Sequence, residues 1–510
     1  MKRPSEEEHY DAYVGRVSRG VGIGSFGQGL GRALAYVTQI VLARMYGPAQ
    51  LGFYALGVAI VGFANILADF GLHNPVVRRV ARHHAEGDDS RIRGTILLAL
   101  AVSFALSLAL SVGMFAGAGF LADTVFDKPA MQPMFRVFSL SVPFLALMSM
   151  ALFATQGFQT VKYYSLVQLI LQPLINLMLV VIFYLLGARI LGAVGAYAVS
   201  MAVGAVLALY YLRRMFPQLL HPDTPPVFES RSVLGESGPV FVAITAEYVN
   251  VWTGVAVLGI LSTGEQVGIY NAAARTALIA GVVYMVFVQI FTPIISNLYG
   301  SGRLRELGYL YADVSRWMFA GGLLAFWGTV LFSKDILALF GPEFVAGSTV
   351  MIVGAAGQLF ALSIGATNRV LLMTGRQSTY MLAMIAAAVT GIVASFALVP
   401  SFGILGAAFS DAGTTVLANV ITLIALRRAL GLWPFSRGYI KPFIAGILAT
   451  AVVVLARLVL PMPLGAPALL VLSPLFLLGF AATMLILGLS PSDRQFLKAM
   501  WIALPHPGRR

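Results

Sequence analysis

From one end to the other, the chain alternates long apolar stretches with short polar ones. Fourteen apolar stretches can be marked, at 20–43, 51–72, 94–118, 134–156, 164–187, 191–212, 239–261, 268–292, 312–332, 348–373, 379–400, 403–426, 440–460 and 466–489. A helix needs about 20 such residues to cross a hydrocarbon core. In lipid every backbone N–H and C=O must be satisfied within the protein, so apolar runs of this length predict helices. The expected fold class is an all-α polytopic membrane protein with fourteen transmembrane helices.

The polar positions test that count. With the N-terminus inside, 25 of the 34 Lys and Arg fall in inward-facing segments, among them Arg78, Arg79, Arg213, Arg214, Arg427 and Arg428. Only five face outward (Arg44, Lys128, Arg136, Arg189 and Lys334), and four lie within spans. This asymmetry is what the positive-inside rule demands, and a wrong span count would scramble it. Both termini are expected to be cytoplasmic.

Composition narrows the function classes. The chain is 59% hydrophobic and 11% charged, against ~25% charged in soluble proteins. Disorder, a coiled coil and a soluble enzyme are poor fits. The net charge of +13 is explained by topology, so no nucleic-acid partner is expected. Cysteine is absent, which removes disulfides, thiolate metal sites and thiol nucleophiles. All six histidines fall outside the apolar stretches and no His-x-x-x-His pair lies on a helix, so neither a metal nor a cofactor is expected. The polar start, Met1 to Arg19, does not read as a cleaved signal peptide. The run from Gly22 to Gly27 spells a dinucleotide fingerprint, but no strand precedes it and it opens a span; close helix packing explains it. No phosphate-binding Gly-x-x-x-x-Gly-Lys-Ser/Thr loop occurs.

The chain repeats itself. Gln50-Leu51-Gly52-Phe53-Tyr54 reappears as Gln266-Val267-Gly268-Ile269-Tyr270, Gly157-Phe158-Gln159 as Gly375-Arg376-Gln377, and Gly192-Ala193-Val194-Gly195-Ala196 as Gly403-Ile404-Leu405-Gly406-Ala407. The offsets are 216, 218 and 211 residues. Two pseudo-equivalent six-helix lobes follow, in parallel repeat. The expected organisation is an N-terminal tail (1–19), an N-lobe (20–212), a proline-rich linker (213–238), a C-lobe (239–426), two further helices (427–489) and a C-terminal tail (490–510). Two lobes with a site between them is transporter architecture.

A charge at the centre of a span costs roughly 2.5–3.5 kcal/mol even on the lenient insertion scale. The charges that need a reason are Arg32, Glu247, Arg275, Arg369, Asp411 and Arg457, with Asp69 near the inner end of span 2. Ser25, Gln28, Arg32, Tyr36 and Gln39 share one helical face, which implies a wet cavity or a polar partner helix. Arg275 and Asn271 share a face on span 8, and an ion pair with Glu247 is an alternative or complementary role for Arg275. Asp69 is expected to cap or to pair with Arg78 or Arg79. Asp411 is expected to pair with Arg369 or to hold a coupling ion. Arg457 is close enough to a span end to snorkel.

The run from Leu42 to Tyr54 (LARMYGPAQLGFY), followed by Ala68-Asp69-Phe70-Gly71-Leu72, resembles the opening signature of polysaccharide flippases. These belong to the multidrug/oligosaccharidyl-lipid/polysaccharide exporter superfamily. Val267 to Arg275 resembles the matching segment of the second lobe, and the likeness covers essentially the whole chain. The resemblance implies translocation of an undecaprenyl-pyrophosphate-linked glycan across a bacterial cytoplasmic membrane by alternating access. In the lipid II flippase relatives, arginines on the first and eighth helices line the central cavity, and Arg32 and Arg275 fall on those helices here. The substrate-binding set so implied is Arg32, Arg275, Gln28, Gln39 and Asn271, with Glu247, Asp411 and Asp69 for ion coupling or cavity ion pairs. Expected partners are the lipid-linked glycan, membrane lipid, and a glycan polymerase or other polysaccharide-assembly proteins. The rival transport reading is an ion-coupled multidrug antiporter of the same superfamily, for which an acidic cavity is expected. An integral-membrane glycosyltransferase or polymerase is a third reading. It would need a sizeable outer loop with catalytic carboxylates, and the outer segments here are short. A transporter rather than an enzyme is expected.

Overall fold

The computed structural model describes residues 6–220, 224–459 and 463–488, with the side chains of residues 6–28 and of a few later positions outside that description. Among the described residues all regular structure is helical, and 13 stretches are long and apolar enough to cross a membrane. The first, α1 (Gly29–Asp69), holds expected spans 1 and 2 together. It consists of two arms meeting at Gly47, whose φ of 75° and ψ of 176° leave the helical region. Glycine adopts that positive φ without strain, and Pro48 behind it has no N–H to continue the ladder.

A short helix, α2 (His73–Glu86), follows where only a loop was expected. It is too short and too charged to read as a span, yet it buries Val76, Val80 and His83 along one face. The chain continues through α3 (Asp89–Ala116), α4 (Pro129–Gly157), α5 (Lys162–Leu185), α6 (Ile190–Met215) and α7 (Ser230–Leu261). Then come α8 (Gly264–Ala277), α9 (Gly281–Gly300), α10 (Leu304–Ala338), α11 (Ser348–Ser363) and α12 (Thr367–Met373). The last four are α13 (Gln377–Phe402), α14 (Ile404–Leu430), α15 (Ile440–Val459) and α16 (Ala466–Ile486). Two expected single spans are broken. Span 8 is α8 and α9 joined by a tight turn at Leu278–Ala280, and span 10 is α11 and α12 separated at 364–366. Both breaks lie beside the central cavity.

Helices before and after the linker meet along the second arm of α1. Tyr248 donates to the Ala59 carbonyl at 2.7 Å, and the rings of Phe70 and Phe241 stack at 5.3 Å. A very close backbone approach joins the two repeated segments themselves. A Cβ on Gly52 would lie 2.0 Å from the Gly264 oxygen, and one on Gly268 would lie 1.9 Å from the Pro48 oxygen. Small residues let two backbones touch where lipid supplies no hydrophobic drive. The repeated glycine is therefore the contact point.

The two ends of this seam are fastened by different chemistry. At the end near Gly47, Arg44 donates to the Ala338 and Leu339 carbonyls at 2.6 and 2.7 Å, and Lys128 to the Gly259 carbonyl at 2.5 Å. Cations belong on the exposed carbonyls of a helix C-terminus. At the arginine-rich end, Arg78 and Arg79 of α2 bond Glu236 of α7, and Arg79 also bonds Glu229 just before α7. Asp69, expected to pair with Arg78 or Arg79, instead lies 3.3 Å from His73, because those arginines are taken by the carboxylates of α7 and its approach.

The final pair, α15 and α16, packs on α10 through Phe332, Leu472 and Phe476. Arg457 does not snorkel. It bonds the fully buried carboxylate of Asp335, which also accepts from the Gly465 N–H at 3.2 Å. A buried carboxylate needs a cation, and α15 supplies it.

Candidate functional site: a cationic central cavity

A cavity of about 1160 Å³ opens between the first arm of α1 and the helices that follow the linker. Arg32, Tyr36 and Gln39 line it from α1, which accounts for the polar stripe on span 1. The facing wall holds Glu247 and Trp252 of α7, Arg275 of α8, Tyr284 and Met285 of α9, Arg369 of α12 and Tyr380 of α13. The helix breaks at 278–280 and 364–366 bring Leu278 and Gly365 to the same wall. Broken helices are tolerated at membrane depth where they line a cavity.

The three arginines are held in one manner. Arg32 donates to the Met285 sulfur at 2.8 Å. Arg275 lies over the Trp252 indole, 3.8 Å from its centroid. Arg369 lies beside the Tyr284 hydroxyl. Among the described residues none of the three has a carboxylate within ion-pairing distance. Arg275 occupies the last turn of α8, where unpaired carbonyls favour a cation, and one of its terminal nitrogens is buried without a partner.

The carboxylates lie elsewhere. Glu247 lines the cavity but accepts from the Tyr380 hydroxyl, so the expected Arg275–Glu247 pair is not formed. Asp411 accepts from the Tyr270 hydroxyl inside a side chamber of about 140 Å³ and is not paired with Arg369. Asn250 and Asn271 line that chamber, and Arg275, Leu278, Gln358 and Thr415 are shared by both spaces. Asn271 is buried with its side-chain oxygen unpartnered, as is that of Gln39 in the main cavity. Asp69 belongs to the α1–α2 junction and does not line either space. The side chain of Gln28 lies outside the described residues.

The structure thus brings Arg32, Arg275, Gln39 and Glu247 around one cavity, with Asn271 and Asp411 in its annex. Trp252, Tyr284, Met285 and Tyr380 escaped the sequence reading. Aromatic residues and methionine in an apolar span carry no periodic signal that separates a cavity face from a lipid face. Among the described residues no group of three or more His, Cys, Asp or Glu could hold a metal ion. Chemically, this is a large, net cationic space whose guanidinium donors are anchored without being neutralised. It suits an anion with several acceptor oxygens.

Known proteins agree with that fold. The structure matches the inward closed conformation of the lipid II flippase MurJ with a TM-score of 0.74, at 13% identity, over 91% of this chain and 98% of that one. An inward-facing multidrug transporter of the same superfamily gives 0.69 at 16% identity, over 78% of this chain and 94% of that one. By sequence, the chain is 23% identical to the probable low-salt glycan biosynthesis flippase Agl15 of Haloferax volcanii, over 77% of this chain and 79% of the relative. It is 22% identical to stage V sporulation protein B of Bacillus subtilis, over 82% and 86%. The family model described as polysaccharide biosynthesis protein matches residues 17–299, more than half of the sequence. The chain is a multi-pass membrane protein that belongs to the polysaccharide biosynthesis protein family, among the polysaccharide flippases of the multidrug/oligosaccharidyl-lipid/polysaccharide exporter superfamily.

Proposed function

We propose that the protein flips an undecaprenyl-pyrophosphate-linked glycan from the inner to the outer leaflet of a bacterial cytoplasmic membrane, with both termini cytoplasmic. The observation that carries this reading is the cavity charge. Arg32, Arg275 and Arg369 line it against Glu247 alone, and no arginine there is spent on a carboxylate. A pyrophosphate takes the arginine forks while the prenyl tail stays in lipid. The two lobes, 20–212 and 239–426, alternate about the seam at Gly52 and Gly268. An inside-negative potential assists outward movement of an anion by roughly 2.3 kcal/mol per charge per 100 mV. Glu247 and Asp411 are the acidic groups placed to couple an ion, and Gln39 and Asn271 supply neutral hydrogen bonds near the anion. The antiporter of organic cations is disfavoured by the same charge balance.

The test is the inner-leaflet pool of lipid-linked glycan, scored beside protein abundance. Arg32→Ala and Arg275→Ala are expected to raise that pool at normal abundance, with Lys rescuing in part because it lacks the fork. Normal export by both alanine variants sinks the pyrophosphate mechanism and leaves the family assignment standing.

A further inference from the structure

Arg275 is largely withdrawn from solvent and lines the cavity, so what holds it decides what its charge can do there. An ion pair would anchor the side chain, but the carboxylate would then compete with any incoming phosphate. An aromatic face anchors a guanidinium through the ring quadrupole and leaves the charge in place. Trp252 provides such a face at 3.8 Å and itself lines the cavity. Tyr248, one turn along α7, stacks on Trp252 at 5.8 Å and donates to the Ala59 carbonyl of α1 at 2.7 Å. These contacts tie Arg275 on α8 through α7 to the second arm of α1. One terminal nitrogen of Arg275 is left buried and unpartnered.

We infer that Trp252 is a positioning residue, whose indole holds the Arg275 fork open to the cargo's pyrophosphate without neutralising it. This rests on the pyrophosphate reading above. The device has a distinctive consequence. Replacing the ring with a smaller ring weakens binding only a little, whereas replacing it with a carboxylate neutralises Arg275 and weakens binding more than removing the ring does.

The experiment uses the full chain in detergent with inorganic pyrophosphate as the probe, binding measured calorimetrically and folding by melting temperature. Trp252→Phe is expected to stay within about threefold of the parent, because a weaker aromatic face remains, and Trp252→Ala to lose about tenfold. Trp252→Glu is expected to bind more weakly than Trp252→Ala while melting no lower. In proteoliposomes carrying lipid-linked glycan, Trp252→Ala is expected to raise the apparent KM more than it lowers the maximal rate. Parent-like binding by the alanine and glutamate variants overturns the inference and leaves the Arg32 and Arg275 reading intact. An equal loss in the phenylalanine and alanine variants also overturns it, since the aromatic face would then not be what matters. Absence of pyrophosphate binding by the parent chain overturns both.

Discussion

Arg79 and Arg275 are the same residue type, both largely withdrawn from solvent, and the fold treats them in opposite ways. Arg79, at the arginine-rich end, is bonded to Glu229 and Glu236, with His83 and Arg91 also within 4 Å of Glu229. Arg275, in the cavity, rests on an indole, and its cavity companions rest on a sulfur and a phenol. A neutralised arginine fastens helices. On the proposed reading, an arginine on a neutral support keeps an open positive charge for an arriving anion. If the pyrophosphate proposal holds, the partner, more than the depth, separates structural arginines from working ones.

That contrast is most exposed to failure at Arg275 itself. Arg275→Glu is expected to cost the transport step about 2–5 kcal/mol, the range for removing one partner of a desolvated charge pair. Export should therefore fall by roughly 30-fold or more at unchanged abundance. Arg457→Ala tests the opposite class. It strands the buried Asp335 carboxylate and is expected to lower stability by about 3 kcal/mol, read as a lower melting temperature in detergent, with export per folded molecule retained. Arg79→Ala should cost about 1 kcal/mol, since Glu229 and Glu236 are both partly hydrated; the charge-swapped pair Arg79→Glu with Glu229→Arg should recover part of that loss.

The smallest effect is expected at the surface of α2. The Glu86 carboxyl is held below its ordinary value of 4.5 by its bonds to Arg82 and His83. A depressed carboxylate adds stability that is present above its unfolded pKa and lost as pH falls through the folded one. Arg82→Ala should therefore lower the melting temperature slightly near neutrality, with the difference from the parent closing as pH falls through the carboxylate range, as a pH series of thermal melts will read.

Much of the fold was legible because lipid restricts the options. The apolar stretches and the arginine asymmetry predicted helices whose positions the structure largely reproduces, and the stripe from Arg32 to Gln39 predicted a wet face. The breaks in spans 8 and 10 were not legible. Hydropathy averages over them, and Leu278-Ile279-Ala280 is as apolar as its flanks. The partners of the charges were misread for a related reason. Spacing along one helix locates a charge, but the Tyr270–Asp411 and Tyr380–Glu247 bonds join residues more than a hundred positions apart. The short α2 was missed because 14 charged and apolar residues resemble a loop when only spans are sought.

The glycine contact has a further consequence. Gly52 and Gly268 occupy the same place in the two repeat copies, and each would strike the other's backbone nitrogen, at 2.8 and 3.0 Å, if it gained a Cβ. Equivalent positions touching one another is how a twofold, isologous interface is built. The seam is thus built like the core of a homodimer whose two subunits have been joined end to end. Gly52→Ala and Gly268→Ala strike one shared contact from opposite sides, so their effects on folding will not add: the second substitution lands on a contact the first has already opened.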